Sequence, residues 1–162
     1  YQPLINVQRP ESIGTVLVNS ADPTVQPDID PNYLAAQEDV RVLRDGIKIC
    51  RDVLAQKAFD PYRGAEIAPG PDVRTDTQID DYIRHSCHTQ YHPVGTCKMG
   101  CDPLAVVDSE LKVHGLQGLR VIDASIMPKM ISANTNAATI MIAEKGADMI
   151  RGGAGHATAR AA

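Results

Sequence analysis

Proline and glycine punctuation constrains this chain more than any other feature. Of its 162 residues, 11 are proline and 12 are glycine. Proline withholds a backbone donor and clashes with a preceding helical turn, so clusters of it exclude helix. One cluster, residues 20–31, holds Pro23, Pro27 and Pro31, and a second, residues 61–71, holds Pro61, Pro69, Pro71, Gly64 and Gly70. Both read as loops. Helices are expected at residues 33–57, 75–86 and 134–150. In the first, Val40, Leu43, Ile47, Cys50 and Leu54 recur at three- and four-residue steps on one face. Charged Glu38, Asp39, Arg41, Arg44, Asp45, Lys48 and Arg51 are expected on the other. The second should be capped by Thr75 or Asp76 and face Ile79, Tyr82 and Ile83 inward. The third should bury Ile140, Ala143, Ala147 and Ile150, close at Arg151-Gly152-Gly153, and leave residues 154–162 as a frayed tail. Strands are expected at residues 13–18, 106–108 and 119–124, the last buried on both faces because its apolar residues are consecutive.

Composition excludes several functions. Apolar residues make up 43% and charged residues 22%, enough for a buried core and against wholesale disorder. The net charge of −4 is the wrong sign for a nucleic-acid partner, and one Phe with no Trp gives little for bases to stack on. No apolar run reaches the ~20 residues of a transmembrane helix, and no charged-then-apolar leader is present. Four unevenly spaced cysteines, Cys50, Cys87, Cys97 and Cys101, do not read as a secreted disulfide scaffold. A cytoplasmic protein, at most peripheral to the inner membrane, is expected. The first residue is Tyr1, so the chain is expected to begin partway through a longer protein.

Chemistry-capable side chains collect at residues 85–101, where His85, Cys87, His88, His92, Cys97 and Cys101 stand close together. Thiolates and imidazoles suggest zinc, but there is no Cys-x2-Cys, and the Cys97-x3-Cys101 pair has no distal counterpart. A stand-alone zinc-binding or interaction module around Cys87–Cys101 is the alternative to the reading below. Cys50 and Cys87 also read as small buried hydrophobes, and His85 and His88 as surface residues at a helix end. His92 differs, because it precedes Pro93 and lies near Gly95, on a loop of fixed geometry. It reads either as a satisfied structural histidine or as a positioned general base, imidazole titrating near ~6.5. Asn134 and Asn136 flank Thr135 at a helix start. Caps explain one asparagine, and exposed amide donors there suit an electron-rich ligand group. Asp123, Ala124 and Ser125 follow apolar residues where open α/β sheets bind ligands.

Four blocks carry a specific resemblance: residues 91–100 (YHPVGTCKMG), 106–115 (VVDSELKVHG), 118–128 (GLRVIDASIMP) and 134–145 (NTNAATIMIAEK). With residues 9–16 (RPESIGTV) and 30–33 (DPNY), they resemble the C-terminal region of the glucose–methanol–choline oxidoreductases, in particular the choline-dehydrogenase-like and alcohol-dehydrogenase-like members. The likeness runs from about Leu4 to Gly153. Ala138, where many relatives have Pro, and Ala133, where many have Gly, depart from it. The resemblance implies an α+β fragment: residues 1–98 would belong to the substrate-binding domain, a sheet with packing helices. Residues 99–153 would return as a strand and helix to complete the FAD-binding domain.

The resemblance further implies FAD-dependent oxidation of a primary alcohol, choline-like, aliphatic or aryl, to the aldehyde. His92 matches the family's catalytic histidine and Asn134 the second active-site position. Tyr91, Asp123, Ala124, Thr135 and Asn136 match positions close to FAD. His92 would take the hydroxyl proton as hydride leaves for flavin N5, and Asn134 would stabilise the oxygen. No metal ligand is implied. No G-x-G-x-x-G occurs among the glycines, so the main cofactor cradle is expected in an N-terminal FAD-binding portion of the same protein. An alcohol and an electron acceptor, quinone-like or oxygen, complete the expected partners. Some relatives use the flavin structurally and cleave cyanohydrins, so redox turnover does not follow from fold alone.

Overall fold

The first helix window is realised as α1, Gln37–Leu54, in a computed structural model that describes residues 2–152. It starts four residues later than its periodicity suggests, because Asn32 and Leu34 take left-handed backbone angles, φ 49° and 60°, which a right-handed helix cannot include. Glu38 and Asp39 in its first turn and Arg51 in its last oppose the helix dipole. The second window is α2, Asp76–Ser86. Thr75 caps it: its hydroxyl accepts the Gln78 amide, and Gln78 Oε1 accepts the Thr75 amide at 2.9 Å.

The two helices pack through Ile47, Ile79 and Ile83, with Ile5, Leu34, Leu43, Val73 and Tyr82 around them. Each buried isoleucine is worth about 1.5–3 kcal/mol relative to exposure. Arg44 bridges the pair to Asp80 at 2.8 Å, and Lys48 reaches Asp76 at 2.6 Å. Arg51 ties down the proline-rich loop, pairing with Glu66 and donating to the carbonyls of Gly70 and Val73. These elements belong to a compact unit that ends at Gln90.

Asp39 corrects the expectation of a solvent-facing charge, since it is buried. Its carboxylate accepts the Glu11 and Ser12 amides at 2.9 Å each, clamping the segment before α1 to the helix. The Ser12 hydroxyl accepts in turn from the Ala36 amide.

Strand β1, Thr15–Leu17, lies inside the expected residues 13–18, and it pairs antiparallel with β2, Asp28–Asp30. The segment containing β2 was expected to be loop throughout. Three residues reading Asp-Ile-Asp show no alternation of useful length, and only the partner strand makes them extended. Both strands are exposed on both faces.

The second unit begins at Tyr91. Its core is Val107, Leu111, Ile126, Met127 and Ile142. The strands expected at residues 106–108 and 119–124 are absent. In their place are isolated bridges, Met99 with Val107, Val107 with Val113 and Lys112 with Arg120. Leu111, Gly115 and Gly118 all have positive φ, and three such kinks within eight residues stop a ladder from propagating. Residues 124–126 form a short 3-10 turn capped by Asp123, whose carboxylate accepts the Ser125 amide at 2.7 Å.

Helix α3, Asn136–Ile150, closes this unit. It buries Ile142 and Gly146, with Ala138 and Met149 against the core. The face expected to be buried is turned out: Ile140 is 55% and Ile150 62% exposed. The helix is apolar nearly all round, so periodicity could not choose between faces. Gly146 decides it. A Cβ there would collide with Ile122 Cγ2 and lie 2.9 Å from its Cδ1, so only glycine allows the helix this close. Gly153 and the tail 154–162, including His156, lie outside the described residues.

Two outcomes follow for stability. Burial would raise the Asp39 carboxyl above its ordinary value, but the Ser12 hydroxyl and the Glu11 and Ser12 amides outweigh it and hold it below. A depressed carboxyl stabilises the fold at neutral pH, and that contribution is lost as pH falls through the ordinary carboxylate range. Asp39→Asn puts an amide group where only acceptors fit and should cost about 1.5–3 kcal/mol at pH 7. Urea melts should show this gap narrowing below about pH 4, the ordinary range for aspartate; a pH-independent gap contradicts the clamp. Gly146→Val should cost about 1–3 kcal/mol by overpacking, and Ile122→Ala in the same chain should recover part of the loss in melting temperature.

Candidate active site

His92 is placed by its neighbours. Tyr91 before it takes φ 61° and Gly95 after it φ 89°, so the loop turns sharply on both sides of the histidine. A tyrosine in the left-handed region is strained by of order 1–3 kcal/mol, which surrounding structure must hold. Gly95 bears its positive φ without that cost. Beyond it the loop is fastened to the turn at residues 124–126: the Cys97 amide donates to the Ser125 carbonyl at 3.0 Å and the Met99 amide to Ile126 at 2.8 Å. Val94 packs on the core. His92 itself is half-buried.

Its ring meets helix α3. Nδ1 of His92 lies 3.0 Å from the hydroxyl of Thr135, 43 residues away in sequence. Thr135 is buried, 8% exposed, and stands at the helix start as N-cap, yet its side chain makes no capping bond. Its carbonyl accepts both the amide and the hydroxyl of Thr139, each at 2.9 Å. Asn134 precedes it and Asn136 opens the helix, both exposed. No acidic residue stands in the first turn of α3. The first-turn amides therefore form an uncapped, donor-rich end flanked by two carboxamides.

The remaining candidates are near in fold but differ in character. Asp123 is exposed, with one carboxylate oxygen engaged by the Ser125 amide and hydroxyl. Ala124 is half-buried in the turn that anchors the histidine loop, and Tyr91 is 80% exposed. His85 and His88 are exposed, as expected. Cys87 is exposed rather than packed inside, though partial burial still pushes its thiol up. All four cysteines are free, and among the described residues no three His, Cys, Asp or Glu side chains converge to hold a metal. The zinc alternative is not favoured. No described helix is long and apolar enough to cross a membrane.

The contact of the Thr135 hydroxyl with His92 is the one that sequence reading missed. Thr135 is expected close to FAD, whereas in the structure its side chain meets the histidine. The available signal was a threonine between two asparagines at a helix start, where one cap is enough.

A family profile described as GMC oxidoreductase matches residues 10–143. The chain belongs to the GMC oxidoreductase family. It is 51% identical over 152 residues to an oxygen-dependent choline dehydrogenase of Pseudomonas putida, covering 94% of this chain and 27% of that protein. Among solved structures it resembles pyridoxine 4-oxidase from Mesorbium loti (TM-score 0.83, 35% identity, 90% of this chain and 28% of that one). It also resembles an FAD-dependent oxidoreductase from Chaetomium thermophilum (TM-score 0.81, 31% identity, 86% and 24%). This GMC chain thus spans about a quarter of the length of the relatives it matches. Members of the family are FAD-dependent flavoproteins.

The structure bears on whether its residues suit FAD. A helix start without a capping bond from Thr135, with two exposed carboxamides and no acid in its first turn, is a set of donors. A set of that kind fits the carbonyl-bearing edge of a flavin. Gly95→Ala provides a local check on the loop. Forcing a Cβ into φ 89° should cost about 1–2 kcal/mol, and amide exchange at Cys97 and Met99, whose bonds anchor the loop, should speed up. Unchanged exchange there would mean that the glycine does not hold the turn.

Proposed function

We propose that this chain is the C-terminal part of an FAD-dependent oxidoreductase that converts a primary alcohol to its aldehyde. The observation that carries the reading is the pairing of His92 with Thr135 at the start of α3, next to Asn134. It puts an imidazole and a carboxamide at the same end of one helix. Family membership and the likeness to a choline dehydrogenase support it, and choline is the first substrate to test. Aliphatic and aryl alcohols are the others, with oxygen or a quinone-like compound as acceptor.

Tyr91, Asp123, Ala124, Thr135 and Asn136 would help hold FAD, which supplies the hydride acceptor when bound. His92 binds the substrate hydroxyl through Nε2 and takes its proton, and charge builds on the oxygen as that proton leaves. The Asn134 amide donates to that oxygen and stabilises it. In this reading residues 1–98 belong to the substrate-binding domain and residues 99–153 complete the FAD-binding domain. The rest of the longer protein covers the exposed apolar face of α3, where Ile140, Met141 and Ile150 are outward. The protein works in the cytoplasm.

In the full-length enzyme, His92→Ala should lower kcat by about 10²–10⁴-fold and Asn134→Ala by about 10²–10³-fold. Cys97→Ser and Cys101→Ser should stay near wild type. Flavin absorbance must first show that each variant retains its cofactor, and a panel of choline, aliphatic and aryl alcohols identifies the substrate. A His92→Ala enzyme that retains flavin and full turnover would remove His92 from the mechanism.

A further inference from the structure

We propose that the Thr135 hydroxyl is a positioning group for His92, accepting the Nδ1 proton and so holding the neutral imidazole in the tautomer whose Nε2 is bare. The inference rests on the reading of His92 as the proton acceptor and adds a residue whose side chain was not assigned to that task. Four observations carry it. The two atoms are 3.0 Å apart, and Thr135 is buried. Thr135 has helical backbone angles, φ −76° and ψ −14°, rather than the extended ones of a capping residue, and its side chain makes no bond to the helix amides, which leaves its hydroxyl to the ring. Its backbone is held by two bonds from Thr139 to its carbonyl, so the hydroxyl has a fixed origin. The contact with Thr135 uses Nδ1, so Nε2 is the nitrogen that the proposed proton transfer requires.

A hydroxyl can donate or accept, and the two cases have opposite consequences. If Thr135 donated to Nδ1, the neutral ring would carry its proton on Nε2, and its only lone pair would be the one already engaged by Thr135. If Thr135 accepts, Nδ1 keeps its proton and the Nε2 lone pair faces outward. The bond made by one ring nitrogen sets the state of the other. Free imidazole side chains favour the opposite tautomer, so a base with a bare Nε2 needs such a partner at Nδ1.

The test uses the full-length, flavin-loaded enzyme labelled with 15N-histidine, at a pH where His92 is neutral, its resonances assigned by their loss in His92→Gln. Wild type should show a protonated Nδ1 and a bare Nε2. Thr135→Val, which keeps the shape and removes the hydroxyl, should shift the ring towards Nε2–H. It should also lower kcat by about 10–100-fold, the size of effect known for partners that orient metal-bound histidines, with KM little changed. Thr135→Ser should restore both the 15N pattern and kcat. A bare Nδ1 in wild type overturns the proposal, and that spectrum decides even if Thr135→Val fails to fold. So does a Thr135→Val enzyme with wild-type kcat and 15N pattern. If His92→Gln is inactive in that case, the positioning role fails and the base survives. If His92→Gln turns over like wild type, both fail.

Discussion

The turn at residues 124–126 is the part that both halves of the site share. On one side its carbonyls accept the Cys97 and Met99 amides and so fix the loop that carries His92. On the other, Ile126 and the following Met127 are buried in one cluster with Ile142 of α3. The helix that presents Asn134, Thr135 and Asn136 is thus packed against the same few residues that hold the histidine loop. Ile122, just before the turn, meets Gly146, about one turn further along the helix than Ile142. Backbone bonds fix the loop, apolar contact fixes the helix, and the Thr135–His92 bond closes the arrangement. Displacing the turn would move both the imidazole and the asparagines, so integrity of this small core is a condition for any chemistry proposed at its surface.

Local signals in the sequence were sufficient where structure is local. The apolar faces of α1 and α2 and the Thr75 cap are set by residues within one or two turns of each other, and each is present as expected. Long-range partners were not legible. Asp39 looks like one more surface acid in a charged helix, and only the Glu11 and Ser12 amides, 28 and 27 residues away, turn it into a buried clamp. β2 is extended because β1 lies beside it, not because Asp-Ile-Asp prefers a strand. The strands expected at residues 106–108 and 119–124 have suitable side chains, but the backbone kinks at Leu111, Gly115 and Gly118 break their pairing into single bridges. Two of those kinks are glycines, visible in the sequence, and the third is a leucine that no propensity would have marked.

The site was legible in a different way. Pro93 and Gly95 signal a loop of fixed shape around His92, and two asparagines mark a helix start with donors to spare. Both signals are local, and the structure has Gly95 at φ 89° and α3 beginning at Asn136. What joins them, a hydroxyl and an imidazole 43 residues apart, has no local signature. The buried face of α3 was lost for a related reason. With Ile140, Met141, Ile142 and Ile150 distributed around the helix, burial is decided by which side the neighbours occupy, and the neighbour that matters is Ile122, fitted against a glycine. Glycine 146 was the available clue: a helix interior tolerates that residue at about 1 kcal/mol relative to alanine, and close packing is what offsets it.

The apolar residues on the outer side of α3 and on both faces of the β1–β2 ribbon bear on what this chain needs. A two-stranded ribbon is marginal alone in water, and Val16, Leu17 and Ile29 are exposed on it, as Ile140, Met141 and Ile150 are on the helix. A relative that aligns over 94% of this chain is about three and a half times as long, since the match covers 27% of it. Under the proposed function, these surfaces and the uncapped start of α3 have one explanation. Further protein would cover the apolar faces, and the carbonyl oxygens of the flavin would meet the donor-rich helix end. Either feature alone is common on the surface of a folded chain. Their coincidence on α3 is more telling, because the same fifteen-residue helix presents the donors at its start and the apolar face along its length, while its third side carries the core that fixes His92. Chemistry, cofactor contact and attachment to the rest of the protein would then be three faces of one helix, and a change to any one of them should be felt at the others.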